Sequence, residues 1–193
     1  MLQTLDNLDE RLFLYLNGLH TEWLDTLMYW ITLKYTWFPV YFLLILVVIR
    51  KYRTRGLMMC LGMVLAVGIS DQITSGWMKP FFERLRPCHV ADIQAVVHTV
   101  AGCGGRFGFA SSHASTTFGL ATTVWLMLRS WSPYFGWAFA WAATVAYSRI
   151  YVGVHYPLDI ITGGVIGCTV GWLVYQLYRW TIRWLAKRQP EGL

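Results

Sequence analysis

The sequence predicts an all-α membrane protein: a six-transmembrane helix bundle preceded by an amphipathic helix lying at the interface. Three observations carry that prediction. Of the 193 residues, 56% are hydrophobic and only 13% charged, with a mean hydropathy of +0.43, whereas a soluble domain is about a quarter charged. Apolar runs follow one another along the chain. Basic clusters stand directly beside two of these runs, as at cytoplasmic ends of membrane spans.

Each element has its own signal. Leu5, Leu8, Leu12, Leu16 and Leu19 recur at helical spacing among Asp6, Asp9 and Glu10, which reads as the interfacial helix, ended by Asn17-Gly18. The apolar runs then cover Trp23 to Leu33, Trp37 to Ile49, Leu57 to Trp77, Ala114 to Leu128, Tyr134 to Tyr151 and Leu158 to Tyr178. The first two are short for a span of roughly 20 residues and read either as two tilted spans or as one broken unit. Gly163, Gly167 and Gly171 place a small residue at every fourth position of the last run, a close-packing stripe. Trp23, Trp30, Trp37, Trp77, Trp131 and Trp180 fall near run ends, as interfacial anchors do. At this length the whole chain, 1–193, is expected to form one integral membrane domain. Residues 1–20 lack the basic start and continuous apolar core of a secretory signal.

Charge sets the orientation. Arg50, Lys51, Arg53 and Arg55 follow the second run, and Arg179, Arg183, Lys187 and Arg188 follow the last. With both clusters inside, residues 78–112 face the exterior. The net charge of +6 is therefore explained by topology, and nucleic acid is not expected as a partner. Four cysteines are too few for a disulfide framework, and no metal-ligand spacing appears. Cys60 and Cys168 lie in apolar runs. Cys88 and Cys103 share the exterior loop, and a disulfide between them requires that loop to face an oxidising compartment. Gly102, Gly104, Gly105 and Gly108 loosen this loop, with no Gly-Lys-Ser/Thr to make it a phosphate-binding loop of the strand–helix type.

Ionisable groups beside hydrocarbon are costly, so their positions carry information. They gather as Lys79 with Arg84 and Arg86, as Ser111-Ser112-His113, and as Ser148-Arg149 with His155 and Asp159. On the predicted topology all three groups reach one membrane face. Lys79, Arg86 and Arg149 are candidates to bind phosphate oxygens. Ser111 and Ser112 open a helix, where hydroxyls cap and backbone amides point at an anion. Pro157 suits a first helical turn, which sets Asp159 to reach back to His155, fix its tautomer and free its other nitrogen for attack. His113 is placed to protonate a leaving oxygen. Arg84, Arg106, His89 and His98 read as interfacial anchors, and Ser148 as an interhelical hydrogen bonder. Asp71 has two open readings, partner of a site cation or structural helix contact.

Lys79, six residues, Arg86-Pro87; Ser111-Ser112-His113; and Ser148-Arg149, five residues, His155, three residues, Asp159 together resemble the three-part signature of the type 2 phosphatidic acid phosphatase family. The middle part departs from it: the family has Pro-Ser-Gly-His where this chain has Ala110-Ser111-Ser112-His113. The resemblance implies a bacterial membrane lipid phosphatase working without metal or cofactor. His155 would form a phosphohistidine with help from Asp159, His113 would act as acid, and Lys79, Arg86, Ser111, Ser112 and Arg149 would hold the phosphoryl oxygens. It also implies a site on the periplasmic or exterior face of the cytoplasmic membrane. Candidate substrates are undecaprenyl pyrophosphate, towards which the reading leans, phosphatidylglycerol phosphate, phosphatidic acid and lipid A; membrane lipids are the only other partners implied. An anion transporter is disfavoured because the charges sit at one face, without an inverted repeat. The vanadate haloperoxidases share the signature but are soluble.

Overall fold

The computed structural model describes residues 2–188, which are mostly helical, with an irregular loop over 90–111 and no named strand among the described residues. The helices are α1 (Leu2–Gly18), α2 (Glu22–Thr32), α3 (Phe38–Tyr52), α4 (Thr54–Asp71), α5 (Lys79–Phe82), α6 (Ser112–Leu128), α7 (Trp137–Tyr151) and α8 (Pro157–Arg188). A π-helical stretch, Gln72–Met78, joins α4 to α5 without a break.

Among the described residues, three helices are long and apolar enough to cross a membrane: Lys34–Tyr52, Thr54–Phe82 and Pro157–Lys187. The outward faces of the last two carry Leu57, Leu61, Val64, Ile161, Val165 and Leu173, all exposed. In water that exposure would be prohibitive; hydrocarbon is the solvent that suits it. α6 and α7 have 17 and 15 residues; α6 is largely buried among the other helices, whereas α7 packs against it on one side and leaves Trp137, Ala140 and Ala143 exposed on the other.

α6 is the central helix and α8 its principal partner. The glycine stripe explains how near they come. A Cβ on Gly163, Gly167 or Gly171 would run into the backbone carbonyls of Ser111, Ser115 and Gly119. Removing side chains at these positions lets the two backbones touch, where packing must replace the hydrophobic effect. A second core, Val48, Met59, Met63, Val124, Met127 and Leu128, closes the far end of the bundle around α3, α4 and α6.

The expected first span has a different structure. α2 has only 11 residues, about 16 Å at 1.5 Å per residue, against a hydrocarbon layer of about 30 Å. Near its start, Asp25 accepts a hydrogen bond from the Tyr151 hydroxyl, and at its end Thr32 Oγ1 accepts one from Arg149 Nη1. Tyr151 and Arg149 are neighbours in the last turn of α7, so both ends of α2 stay at one end of the bundle. α1 behaves likewise. Its leucines, Leu5, Leu8, Leu12 and Leu19, are about half exposed, while Asp9, Phe13 and Asn17 are buried. Asn17 Nδ2 donates to the carbonyls of Ile150 and Tyr151 at 3.1 and 2.8 Å, again at the close of α7. The polar face of α1 is thus its packing face.

Candidate active site

Four chain segments deliver polar side chains to the end of the bundle where α5 and α7 finish and α6 and α8 begin. A cavity of about 450 Å³ opens there, lined by Lys79, Arg86, Ser112, His113, Arg149 and His155 among others. Six of the eight predicted site residues thus share one wall. Asp159 stands directly behind His155, and Ser111 is buried outside the lining.

His155 lies just before α8. The helix begins at Pro157, which puts Asp159 in its first turn as expected. The Asp159 Oδ2 atom lies 3.1 Å from His155 Nδ1 and accepts the Tyr156 N–H at the same distance. Nδ1 is therefore engaged, and Nε2 is the nitrogen left for chemistry. Gly108 makes the approach feasible: a Cβ there would stand 3.1 Å from Asp159 Oδ2 and 3.6 Å from His155 Nδ1. Burial, which disfavours the charged ring, outweighs the stabilising Asp159 carboxylate, and Arg149 and Arg86 add repulsion. Together they push the His155 imidazole down to about 4. Near neutrality the ring is uncharged, as a nucleophile must be.

The cations are held by different means. Arg86 donates from Nη1 to the Cys103 carbonyl at 2.7 Å and from Nε to the Phe107 carbonyl at 3.2 Å. These bonds orient the fork through the loop that Cys88 and Cys103 close as a disulfide, their Cα atoms 6.0 Å apart. Lys79 Nζ donates to Ser112 Oγ at 2.8 Å. Ser112 also bonds Ser75, 2.7 Å away, and Ser75 donates to Asp71 at 3.0 Å. Asp71, Ser75 and Lys79 all line the cavity, on the helix that runs through the π-helical stretch. Both readings of Asp71 are therefore partly met: it reaches the site cation through two hydroxyls. Arg149 Nη1 is taken by Thr32, but its Nε is buried with no hydrogen-bond partner among the described residues. A buried guanidinium N–H beside a cavity is a donor suited to an anion's oxygen.

Ser111 caps α6, its Oγ 3.5 Å from the Ala114 nitrogen, and its own N–H donates to the Asp159 carbonyl at 2.9 Å. Its hydroxyl serves the helix entry and leaves the cavity wall to Ser112. His113 follows on the same first turn and lines the cavity.

Sequence reasoning missed four groups near the site. Arg84 is no interfacial anchor: its guanidinium donates to Asp159 Oδ1 at 2.9 Å and to Asp9 Oδ2 at 2.7 Å. Asp9 is buried, and Thr32 and Ser75 are cavity residues. His98 also differs, with Nε2 2.9 Å from Asp25 and its ring stacked on His20. The one available signal for Asp9 was its i, i+4, i+8 spacing with Phe13 and Asn17, a stripe of α1 that runs beside the leucines.

Residues 55–183 match the model of the PAP2 superfamily. The chain belongs to that family. It is 38% identical over 187 residues to a lipid A 4'-phosphatase of Porphyromonas gingivalis, covering 94% of this chain and 78% of that protein. An undecaprenyl-diphosphatase of Sulfolobus acidocaldarius is 27% identical, over 75% of this chain and 64% of its own length. Among solved structures, Aquifex aeolicus LpxE superposes with a TM-score of 0.69 at 22% identity, covering 88% of this chain and 95% of that one; that likeness speaks for the fold. This member of the PAP2 superfamily is thus a membrane phosphatase of the hydrolase class.

Proposed function

We propose that the chain removes a phosphate monoester from a phosphorylated glycolipid of the lipid A kind, through a phosphohistidine on His155, at the exterior face of the cytoplasmic membrane. The observation that carries the reading is the His155–Asp159 pair opening on a cavity with three cations, one of them holding an unpaired N–H. His155 Nε2 attacks phosphorus, the N–P bond forms and the P–O bond to the sugar breaks, while His113 gives its proton to the departing alkoxide. Water then attacks phosphorus, the N–P bond breaks, His113 recovers a proton and inorganic phosphate leaves. Lys79, Arg86, Ser112 and Arg149 meet the charge on the equatorial oxygens. Ser111 contributes through the helix entry it caps.

Two features support a lipid as substrate. An apolar groove of about 280 Å³ between α3, α4 and α6 shares Tyr41, Thr116 and Thr117 with the cavity and continues along Leu44, Met63, Val64 and Leu120. A headgroup in the cavity would leave its hydrocarbon in that groove. The stronger similarity to a lipid A 4'-phosphatase, 38% against 27% for the undecaprenyl-diphosphatase, moves the reading from the polyprenyl pyrophosphate favoured on sequence to lipid A.

The whole chain acts as one unit with five crossings: α3, the α4–α5 helix, α6, α7 and α8. α1 and α2 rest at the exterior end, and the basic turn 50–55 and the tail lie inside. The Cys88–Cys103 pairing supports an oxidising exterior. A phosphate-release screen of the purified protein tests the substrate. Lipid A should exceed undecaprenyl pyrophosphate, phosphatidylglycerol phosphate and phosphatidic acid in kcat/KM by about tenfold or more; a polyprenyl preference of that size overturns the assignment.

A further inference from the structure

Asp159 is fully buried and both its oxygens are in use. Oδ2 serves His155 and the Tyr156 N–H, while Oδ1 receives Arg84 Nη1 at 2.9 Å. Arg84 in turn is fixed on three sides. Its carbonyl accepts the Gly108 N–H at 2.8 Å. Its guanidinium lies 4.3 Å over the Tyr156 ring. Its Nη2 donates to Asp9 Oδ2 at 2.7 Å. Asp9 is itself buried, and its second oxygen accepts the Leu158 N–H of the first turn of α8 at 2.9 Å. That N–H is one of those a helix cannot satisfy internally. One turn along α1, Phe13 packs edge-on against Tyr156, centroids 5.3 Å apart.

We infer that Asp9, outside all three motifs, and Arg84, at one of the six unspecified positions of the first, are positioning residues for the reaction: α1 reaches the nucleophile through Asp9, Arg84 and Asp159 in series. This inference rests on the reading of His155 as nucleophile. Asp9 holds both ends of the arrangement, the guanidinium that orients the Asp159 carboxylate and the helix start that carries it. One cation between two buried carboxylates leaves a single net negative charge behind His155. In front of the ring stand Arg149, Arg86, His113 and Lys79; around Arg84 the remaining charges are Asp6, 3.8 Å away, and Glu10.

The arrangement predicts effects of opposite sign, which loss of packing would not produce. Arg84→Gln leaves two negative charges behind His155 and favours the imidazolium, so the acid limb of kcat/KM moves to higher pH. Asp9→Asn leaves no net charge there and moves the limb to lower pH. Each shift should be roughly half a pH unit or more. Both variants lose kcat, by about 10- to 100-fold, with KM changed little because neither side chain lines the cavity. The double variant Asp9→Asn/Arg84→Gln restores the single negative charge and should return the limb towards its parent position without restoring kcat.

The experiment uses the full chain in mixed micelles with a phosphorylated lipid it turns over, and reads pH profiles, kcat, KM and acid-labile phosphoenzyme. Thermal unfolding checks each variant. If Arg84→Gln does not fold, Arg84→Lys replaces it: lower kcat with the limb unmoved is then expected, since the charge is kept and the fork lost. Limbs that stay at the parent value in Asp9→Asn, or that move the same way in both charge-changing variants, overturn the inference. His155→Ala is the separate control. Phosphoenzyme surviving in it sinks the nucleophile reading; a dead His155→Ala beside parent-like Asp9→Asn and Arg84→Gln sinks only the positioning role.

Discussion

At the scale of residues, the three motifs were legible because their spacing is fixed by helix ends, and helix ends can be read from Pro157 and from the serines before α6. Two measurements test the roles proposed for them. His155→Ala should lower phosphate release by at least about 10³-fold, since no other group supplies the nucleophile. The acid limb of kcat/KM should lie well below the ordinary histidine value of about 6.5, because burial holds His155 near 4. The sign follows from the chemistry: falling pH protonates Nε2 only once it passes the depressed value, so activity persists through mildly acidic conditions. A limb at or above 6.5 would contradict the neutral, buried ring. Arg84 and Asp9 were illegible for a simple reason. Their partners are 75 residues away from one another along the chain, and neither residue type at a span end is unusual. Ser111 was legible as a cap and not as a residue turned from the cavity, since adjacent helix-entry serines look alike in sequence.

At the scale of elements, periodicity revealed where helices lie and which would pack. The glycine stripe of α8 was read as a contact face, and it meets the α6 carbonyls. Replacing Gly167 by Leu should separate the two helices and lower the thermal midpoint in detergent, at a cost of about 1–3 kcal/mol or more for overpacking. An unchanged midpoint would mean that the helices are not in backbone contact. Gly108→Ala tests a different close approach. Its methyl would press on Asp159 and the Arg86 stem, so turnover should drop by about tenfold or more while the midpoint moves little. At α2 the open reading of the first two apolar runs, two tilted spans or one broken unit, meets an 11-residue helix with tethers to α7 near both of its ends. The π-helical stretch before Lys79 was invisible, because wider turns leave no mark in residue type.

At the scale of the whole molecule, charge placement alone separated the two ends of the bundle, and the five crossings proposed above would keep that assignment, with α1 and α2 at the proposed exterior end. Single-cysteine variants in a Cys60→Ser/Cys88→Ser/Cys103→Ser/Cys168→Ser background test it. A membrane-impermeant maleimide on intact cells should label Val96→Cys and spare Arg53→Cys; the reverse pattern would invert the protein. Activity should survive EDTA, and rescue of a chelated sample by a divalent ion would replace the proposed chemistry. The buried face of α1 has a consequence for the order of synthesis. Asp9 leaves the ribosome 75 residues before Arg84 and 149 before Leu158. Its carboxylate therefore gains the Leu158 N–H as donor only once α8 has been made. A chain halted before α8 lacks both Asp159 and the Leu158 N–H, so the pair behind His155 and the partner of Asp9 are completed by the same helix.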